Sequence, residues 1–193
     1  MASVTGVSAE IHSIQTVSGN QPRMRRLIEE AAQTFLAGTP VQVVQAGDGG
    51  LIAWVSGATP IAGFCKEAGN NLAALGVVPT AAVNPNPQPS FGSVPFESSA
   101  KNITRPLFLD GRIAVELANP DTIFLAQTNN TVTAASVGKA FNLTKDTDNH
   151  WYVDLTLSTN AAAIIVRLDP NDQSATPRGV YITIAPAFQQ LVG

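Results

Sequence analysis

Cys65 is the single cysteine of the chain, and its thiol would be the strongest nucleophile that the sequence offers. Activation would require His12 or His150 to approach it in the folded protein. The surrounding residues, IAGFCKEAG, place the cysteine at the end of an apolar strand rather than at an electropositive helix N-terminus. We therefore expect a buried structural cysteine. Neither histidine belongs to a ligand-spaced pair, so no zinc site is expected.

The segment DTDNHWYVDLTL, which begins at Asp146, is the best candidate for a calcium loop because Asp146 and Asp148 supply oxygen ligands. An EF-hand loop requires glycine at its sixth position and a bidentate glutamate at its twelfth. This segment has Trp151 and Leu157 there. We interpret KDTDN as a hairpin turn instead. The segment LDPNDQ (168–173) also predicts a turn, and it leaves weak cation binding open.

Motifs for phosphate binding and for hydrolysis are not found in the sequence. The pair Gly138-Lys139 lacks both the upstream glycine and the following serine or threonine of a phosphate loop. No Gly-x-Ser-x-Gly elbow is present. The carboxylates are scattered, and a glycosidase-type pair among them stays open. The sequence thus offers no convincing catalytic, cofactor or metal-binding motif, and we expect no catalytic residues, cofactor or metal.

Charge is scarce in this chain, since charged residues make up only 13% of it and the net charge is −3. A nucleic-acid binder needs a basic face, so this class is not expected. Basic residues cluster at Arg23, Arg25 and Arg26, which could contact an acidic partner or a phosphate, or belong to a solvated arm. A surface with so few charges fits burial against other subunits or a merely neutral β protein.

The cellular compartment can be predicted from cysteine usage and from the first residues. A single cysteine excludes an intrachain disulfide framework and suits a reducing compartment. The start MASVTGVSAEIHSIQ lacks the basic region and apolar run of a secretory signal. No stretch approaches 18 apolar residues, so no membrane span is expected. We expect synthesis and folding in a cytoplasm.

β-branched residues with a period of two predict a mainly β fold from Thr34 onward. The segments PVQVVQ, LIAWVS and PIAGFC are separated by turn signals and predict a three-stranded meander. Pro40 and Pro60 should lie at strand starts or edges, because proline lacks an N–H. Further strands are predicted at 105–118, with a hairpin turn at Asp110-Gly111, and at 121–127, 137–144, 150–158, 162–169 and 179–186.

About nine short strands at this spacing are typical of a small antiparallel β-barrel or sandwich. In WYVDLTL, apolar and polar residues alternate, which predicts a strand at 151–157 with one buried face.

Two segments do not fit the β pattern. Residues 1–28 are expected to form an extended N-terminal arm, with a short docked helix over 23–32 and a hinge near residue 30. Residues 29–193 should then form a single β domain. Within it, prolines at 85, 87, 89 and 95 predict a long loop over about 66–99 that projects or lines a partner, or is a plain linker.

Four phrases, taken in order, resemble the capsid decoration proteins of tailed bacteriophages, also called head-stabilising or cement proteins. They are EEAAQTFLAGTPVQVV, GGLIAWVSGATPIAGFCKEAG, ANPDTIFLAQ and IIVRLDPND, followed by a closing GVYITI. The resemblance covers about residues 29 to 185. The chain departs from the family pattern in its Pro-rich insertion at 79–95 and its long arm.

This resemblance implies a non-enzymatic virion protein that binds the outside of an icosahedral shell and stabilises it by bridging capsomers. It implies a homotrimer, the major capsid protein as partner, and neither nucleic acid nor membrane as direct partners. The residues expected at the capsid or subunit contact are Arg23, Arg25, Arg26, Phe91, Pro87 and Pro89. The alternative is a receptor- or carbohydrate-binding virion module, in which Tyr152 or Phe91 would stack on sugars.

Overall fold

The computed structural model describes residues 10–30, 32–44, 50–55, 57, 59–69 and 112–191. The turn expected at Asp110-Gly111, all but the first four residues of the loop expected over 66–99, and its Pro87, Pro89 and Phe91 lie outside these residues. The described chain is mainly β, in two antiparallel sheets. Their strands are β1 (His12–Thr16), β2 (Met24–Ile28), β3 (Pro40–Val43), β4 (Leu51–Ala53), β5 (Gly63–Cys65), β6 (Arg112–Leu117), β7 (Thr122–Gln127), β8 (Ala140–Lys145), β9 (Trp151–Asp154), β10 (Ala163–Leu168) and β11 (Gly179–Ile184).

The six-stranded sheet has the order β1-β7-β11-β10-β8-β9, and the five-stranded sheet has the order β2-β6-β5-β3-β4. Short 3₁₀ turns occur at Ala134–Ser136 and Pro186–Phe188. This arrangement confirms the predicted mainly β class and is sandwich-like. It is not a closed barrel over the described ranges.

Both sheets nevertheless curl, because single bridges join the two end strands of the five-stranded sheet and join β9 to the end of β7 in the six-stranded sheet. In the five-stranded sheet, Glu29 pairs with Leu51 of β4. In the six-stranded sheet, Thr128 pairs with Val153 of β9. Glu29 is fully buried, and the N–H of Glu30 donates to the carbonyl of Leu51 at 2.9 Å. The chain is therefore fixed near residue 30, where the sequence predicted a hinge.

The main core lies between the two sheets. Phe64 of β5 packs against Phe124 of β7 with ring centroids 4.6 Å apart, and Trp54 packs against Trp151 at 5.6 Å. A smaller cluster covers the other face of the five-stranded sheet and includes Cys65. Apolar side chains thus stabilise the five-stranded sheet from both faces, which holds its edge strands in place.

The segment expected to be a helix over 23–32 is a strand in the structure. β2 pairs residue by residue with β6, from Met24 opposite Glu116 to Ile28 opposite Arg112. The helical prediction is wrong because the ladder with β6 supplies the backbone hydrogen bonds and overrides the good helix propensity of this segment. β1 likewise pairs with β7, and Ile11 just before it belongs to the main core.

The structure also differs from three more detailed predictions about the strands. β5 pairs with β3 rather than with β4, so the first three predicted strands do not form a simple meander. Pro40 is the first residue of β3, as predicted, but β3 is an inner strand and not an edge. All four residues of β9 are buried, so Trp151–Asp154 is covered on both faces and not on one.

Two predicted turns are confirmed. Residues 146–150 join β8 to β9, and the Oδ1 atom of Asp146 accepts the N–H groups of Asp148 and His150, each at 2.9 Å. The connection from β10 to β11 is held by Asp172, whose carboxylate accepts the N–H groups of Arg178 and Gly179. These two hydrogen bonds, with others from Ser174, lower the pKa of Asp172 to about 2.

Candidate functional site

The three predicted arginines lie together on β2, the edge strand of the five-stranded sheet. Arg23 immediately precedes the strand, and all three arginines are exposed. Because side chains alternate along a strand, Arg25 and Arg26 project from opposite faces of the sheet. The sheet edge therefore carries positive charge on both sides. We name the outer side of β2, from Arg23 to Ile28, the arginine edge.

Arg26 is held by the body of the protein. Its guanidinium forms an ion pair with Glu67, with N–O distances of 3.2 and 3.4 Å, and donates to the carbonyl of Arg112 at 2.9 Å. Glu67 also accepts the N–H of Ala114 at 3.4 Å. Arg26 therefore ties β2 to β6 and to the segment that follows β5, and its charge is partly compensated. Of the three cations, Arg26 is the one with a clear internal role.

Arg23 lies near the carboxylate of Asp121, which anchors the turn between β1 and β2. The Oγ–H and N–H groups of Ser18 donate to Asp121 at 2.5 and 2.9 Å. These bonds lower the pKa of Asp121 below its usual range, and the positive charge of Arg23 contributes a smaller part. The turn that leads into the arginine edge is thus fixed by one exposed carboxylate.

A buried carboxylate connects the two sheets next to the arginine edge. Glu116 of β6 is only 6% exposed, yet it contacts partners on both sides. One oxygen lies 3.1 Å from the Nζ atom of Lys66, and the other accepts the N–H of Ser13 in β1 at 2.5 Å. The register of β1 against β7 shifts between Ser13 and Gln15. The carboxylate of Glu116 therefore accepts a hydrogen bond from a backbone N–H on the outer side of β1.

The direction of the backbone groups along β2 follows from two hydrogen bonds. The N–H of Leu117 donates to the carbonyl of Arg23 at 2.9 Å, so Arg23 and every second residue after it face β6. The N–H of Lys66 donates to the carbonyl of Ala114, so this residue of β6 faces β5 rather than β2. The N–H and C=O groups of Met24 and Ile28 consequently point away from β6, and at the Ile28 end this side meets β4 through the bridge between Glu29 and Leu51.

The other candidates from the sequence do not form a comparable site. Cys65 is 2% exposed, its Sγ–H donates to the carbonyl of Thr39 at 3.0 Å, and burial raises its pKa to about 12. The predicted structural role of this thiol is confirmed. Asp146, Asp148 and His150 bring ligand atoms within 4.8 Å of one another, but Asp146 is already engaged by the turn.

Aromatic side chains offer little stacking surface in the described residues. Tyr152, expected to be exposed in the sugar-binding alternative, is only 7% exposed, so that expectation is wrong for this ring. A cleft of about 200 Å³ does lie between the 32–39 segment and the β8–β9 turn. Trp54 and Trp151 line it, but they are 1% and 7% exposed and serve mainly as core residues.

Searches for known relatives gave no assignment. No protein-family model, no curated protein and no solved structure matches the chain. Among the residues described, no helix has the length and apolar character needed to cross a membrane. Sequence reasoning did find the arginines of the site. It missed Glu116 and Asp121, which lie far from them in the chain and become neighbours only through the pairing of β1 with β7 and β2 with β6.

Proposed function

We propose that the protein is a non-enzymatic structural component of a bacteriophage virion that binds the outer surface of the capsid and bridges capsomers. One observation carries this proposal beyond the sequence resemblance. In a chain with only 11 lysines and arginines, three arginines gather on an exposed sheet edge. Arginine is enriched in protein interfaces, where its planar guanidinium forms directed hydrogen bonds.

The rest of the surface fits the same proposal. A protein surface with few charges can be buried against neighbouring subunits at a low cost in free energy, since burying an unpaired charge is costly. A homotrimer would present three arginine edges to the shell at once. Several modest contacts then dissociate far more slowly than one, because each detached edge rebinds while the others hold. The partner in this proposal is the major capsid protein, and the location is the exterior of the virion.

Sedimentation with assembled shells tests the proposal. The purified protein is mixed with icosahedral shells that lack it and is centrifuged through a sucrose cushion. We expect saturable co-sedimentation that weakens as salt is raised, because exposed charges are screened. The double variant R23A/R25A should lose at least tenfold in affinity. A protein that never sediments with shells would refute the proposal.

Two exposed lysines provide a matched control for the loss of charge. The double variant K139A/K145A removes the same number of cations from the distant β8 region. It should bind shells like the unmodified protein. Equal loss of binding in both double variants would mean that net charge, rather than the arginine edge, determines affinity.

A further inference from the structure

The cleft of about 200 Å³ lies where the ends of the two sheets meet, and the proposed function makes no use of it. One wall is the 32–39 segment, which leads into β3. The other wall is the end of the β8–β9 hairpin, with Lys145 and Asn149. Cavities of about 150 Å³ hold a benzene ring, whereas drug-sized ligands need about 300 Å³ or more. The volume therefore suits one six-membered ring with a small substituent.

Apolar side chains form a large part of the cleft. Three nearly buried aromatic residues line it, namely Phe35, Trp54 and Trp151, and Leu36 adds an aliphatic side chain that is 41% exposed. Because so little of either tryptophan is exposed, the rings close the cleft and offer no open stacking face. This surface suits an apolar ligand body, which leaves water when it binds.

Two neighbouring side chains of the cleft carry hydrogen-bond donors. Lys145 and Trp151 lie directly opposite each other in the β8–β9 ladder, so their side chains share one face of the sheet with Cβ atoms about 5 Å apart. The indole N–H of Trp54 donates to the carbonyl of Thr59 at 2.9 Å. The indole N–H of Trp151, by contrast, makes no hydrogen bond within the described part of the chain. It is an available donor on a side chain that is only 7% exposed.

The remaining polar groups of the cleft add further donors. The Nζ atom of Lys145 donates to the Oδ1 atom of Asn149 at 3.3 Å, which leaves the NH₂ group of this amide available. The Oε1 atom of Gln33 accepts the N–H of Ala53, which leaves the NH₂ group of Gln33 in the same way. Among the described residues that line the cleft, Lys145 is the one charged group. The cleft is therefore rich in donors and carries a positive charge.

The acids next to Lys145 in the chain do not neutralise it. Asp146 is nearly buried, its Oδ1 atom accepts two backbone N–H groups of the turn, and its other oxygen lies 3.5 Å from the Nδ1 atom of His150. Neither Asp146 nor Asp148 lines the cleft. Within the described chain, no carboxylate forms an ion pair with Lys145. Its ammonium group is thus available to an anion from outside.

We propose that this cleft binds a small organic anion that consists of an apolar ring with one carboxylate. The ring fills the space beside Phe35 and Leu36, and the carboxylate accepts charge-assisted hydrogen bonds from Lys145. The indole N–H of Trp151 is a further donor to the ligand. A sugar acid fits less well, because its hydroxyl groups need hydrogen-bond acceptors as well as donors. The inference goes beyond the proposed function and does not depend on it.

Two-dimensional NMR with benzoate tests the proposal. The chain has two tryptophans and therefore two indole N–H signals, of which the one from Trp151 serves as the reporter. Benzoate at millimolar concentration should shift this signal and the backbone amides of Lys145 and Asn149, and the shifts should saturate. No shift, or shifts confined to other parts of the protein, would overturn the proposal.

Two further ligands test the chemistry of the anion. Benzamide has the shape of benzoate without the charge, and it should bind about fivefold more weakly, as expected for the loss of a partly exposed ion pair. Glucuronate keeps the carboxylate on a ring covered with hydroxyl groups, and it should bind more weakly than benzoate. Equal binding of benzamide and benzoate would show that charge plays no part. Tighter binding of glucuronate would show that the cleft takes a sugar, and either result would refute the assignment.

Substitution of the exposed lysine tests its role in the protein. Lys145→Ala should weaken benzoate binding by about fivefold, and Lys145→Arg, which keeps the charge, should retain most of the affinity. Lys139→Ala is the matched control, because this exposed lysine lies just before β8 and does not line the cleft. Thermal melting of the three variants checks that the fold persists. Unchanged affinity in Lys145→Ala, or an equal loss in Lys139→Ala, would contradict the proposed site.

Discussion

The two edge strands β2 and β9 are built in opposite ways. β9 lies at the end of the six-stranded sheet, and all four of its residues are buried, with a bridge to Thr128 across its outer side. β2 lies at the end of the five-stranded sheet, and its first three residues are exposed. The difference shows that the fold contains the means to protect an edge. Within the described chain, β2 is bridged to β4 through Glu29 and Leu51 just beyond its last residue, and it exposes its arginines along the rest of its length.

The largest expected contrast between these strands is in stability. Trp151→Ala in β9 removes a ring that packs against Trp54 in the main core, and it should lower the free energy of unfolding by about 3–5 kcal/mol. Met24→Ala in β2 should change it by less than about 0.5 kcal/mol, since this side chain is mostly exposed. Urea unfolding of both variants measures the contrast. Similar losses in the two would mean that β2 is packed as tightly as β9.

A smaller effect is expected from the residue that protects β9. Asn129 donates to the carboxylate of Asp154 at 2.6 Å and accepts the N–H of Leu155 at 3.0 Å. Asn129→Ala leaves the N–H of Leu155 unsatisfied and removes one donor from Asp154, whose Oδ1 atom still accepts from Thr156, and it should cost about 2 kcal/mol. Hydrogen exchange at the Leu155 amide should accelerate. Asn130→Ala, at the exposed neighbouring position, is the control and should change neither quantity.

The sequence predicted the well-packed strands better than the edges. β-branched residues with a period of two and the Asp-rich turn at 146–149 predicted β8 and β9, because burial and turn chemistry leave a local pattern. β1 and β2 have no such pattern. Their residues are polar or good helix formers. Their strand conformation comes from pairing with distant strands, β1 with β7 about 110 residues away and β2 with β6 about 90 residues away.

The candidate site shows the same limit. The three arginines were visible as a cluster in the sequence, but their place on an edge depends on the ladder between β2 and β6. Glu116 looks in the sequence like an ordinary polar residue of a strand. Its carboxylate can accept the N–H of Ser13 only when the two sheets come together, and no local sequence pattern predicts that contact. Sequence thus identified the charged groups of the site and missed the contacts that position them.

The smallest effect concerns the turn that holds β2 beside β6. The pKa of Asp121 is lowered, first by the hydrogen bond from the hydroxyl of Ser18. A lowered pKa in the folded state means that this carboxylate stabilises the protein above its usual pKa of 3.8. That contribution is lost as the pH falls through the lowered value. Because Asp121 is exposed, the effect should be local to the turn rather than global.

An NMR titration of the Asp121 carboxyl measures this effect directly. In Ser18→Ala the largest cause of the shift is removed, so the pKa of Asp121 should rise toward 3.8 while the melting temperature stays nearly unchanged. An unaltered pKa in Ser18→Ala would mean that the backbone N–H and Arg23 hold the carboxylate, and a large drop in melting temperature would mean that the turn stabilises the whole fold. Either result would weaken the contrast between β2 and β9. It would mean that β2 depends on a stabilising contact as strong as the one that Asn129 makes beside β9.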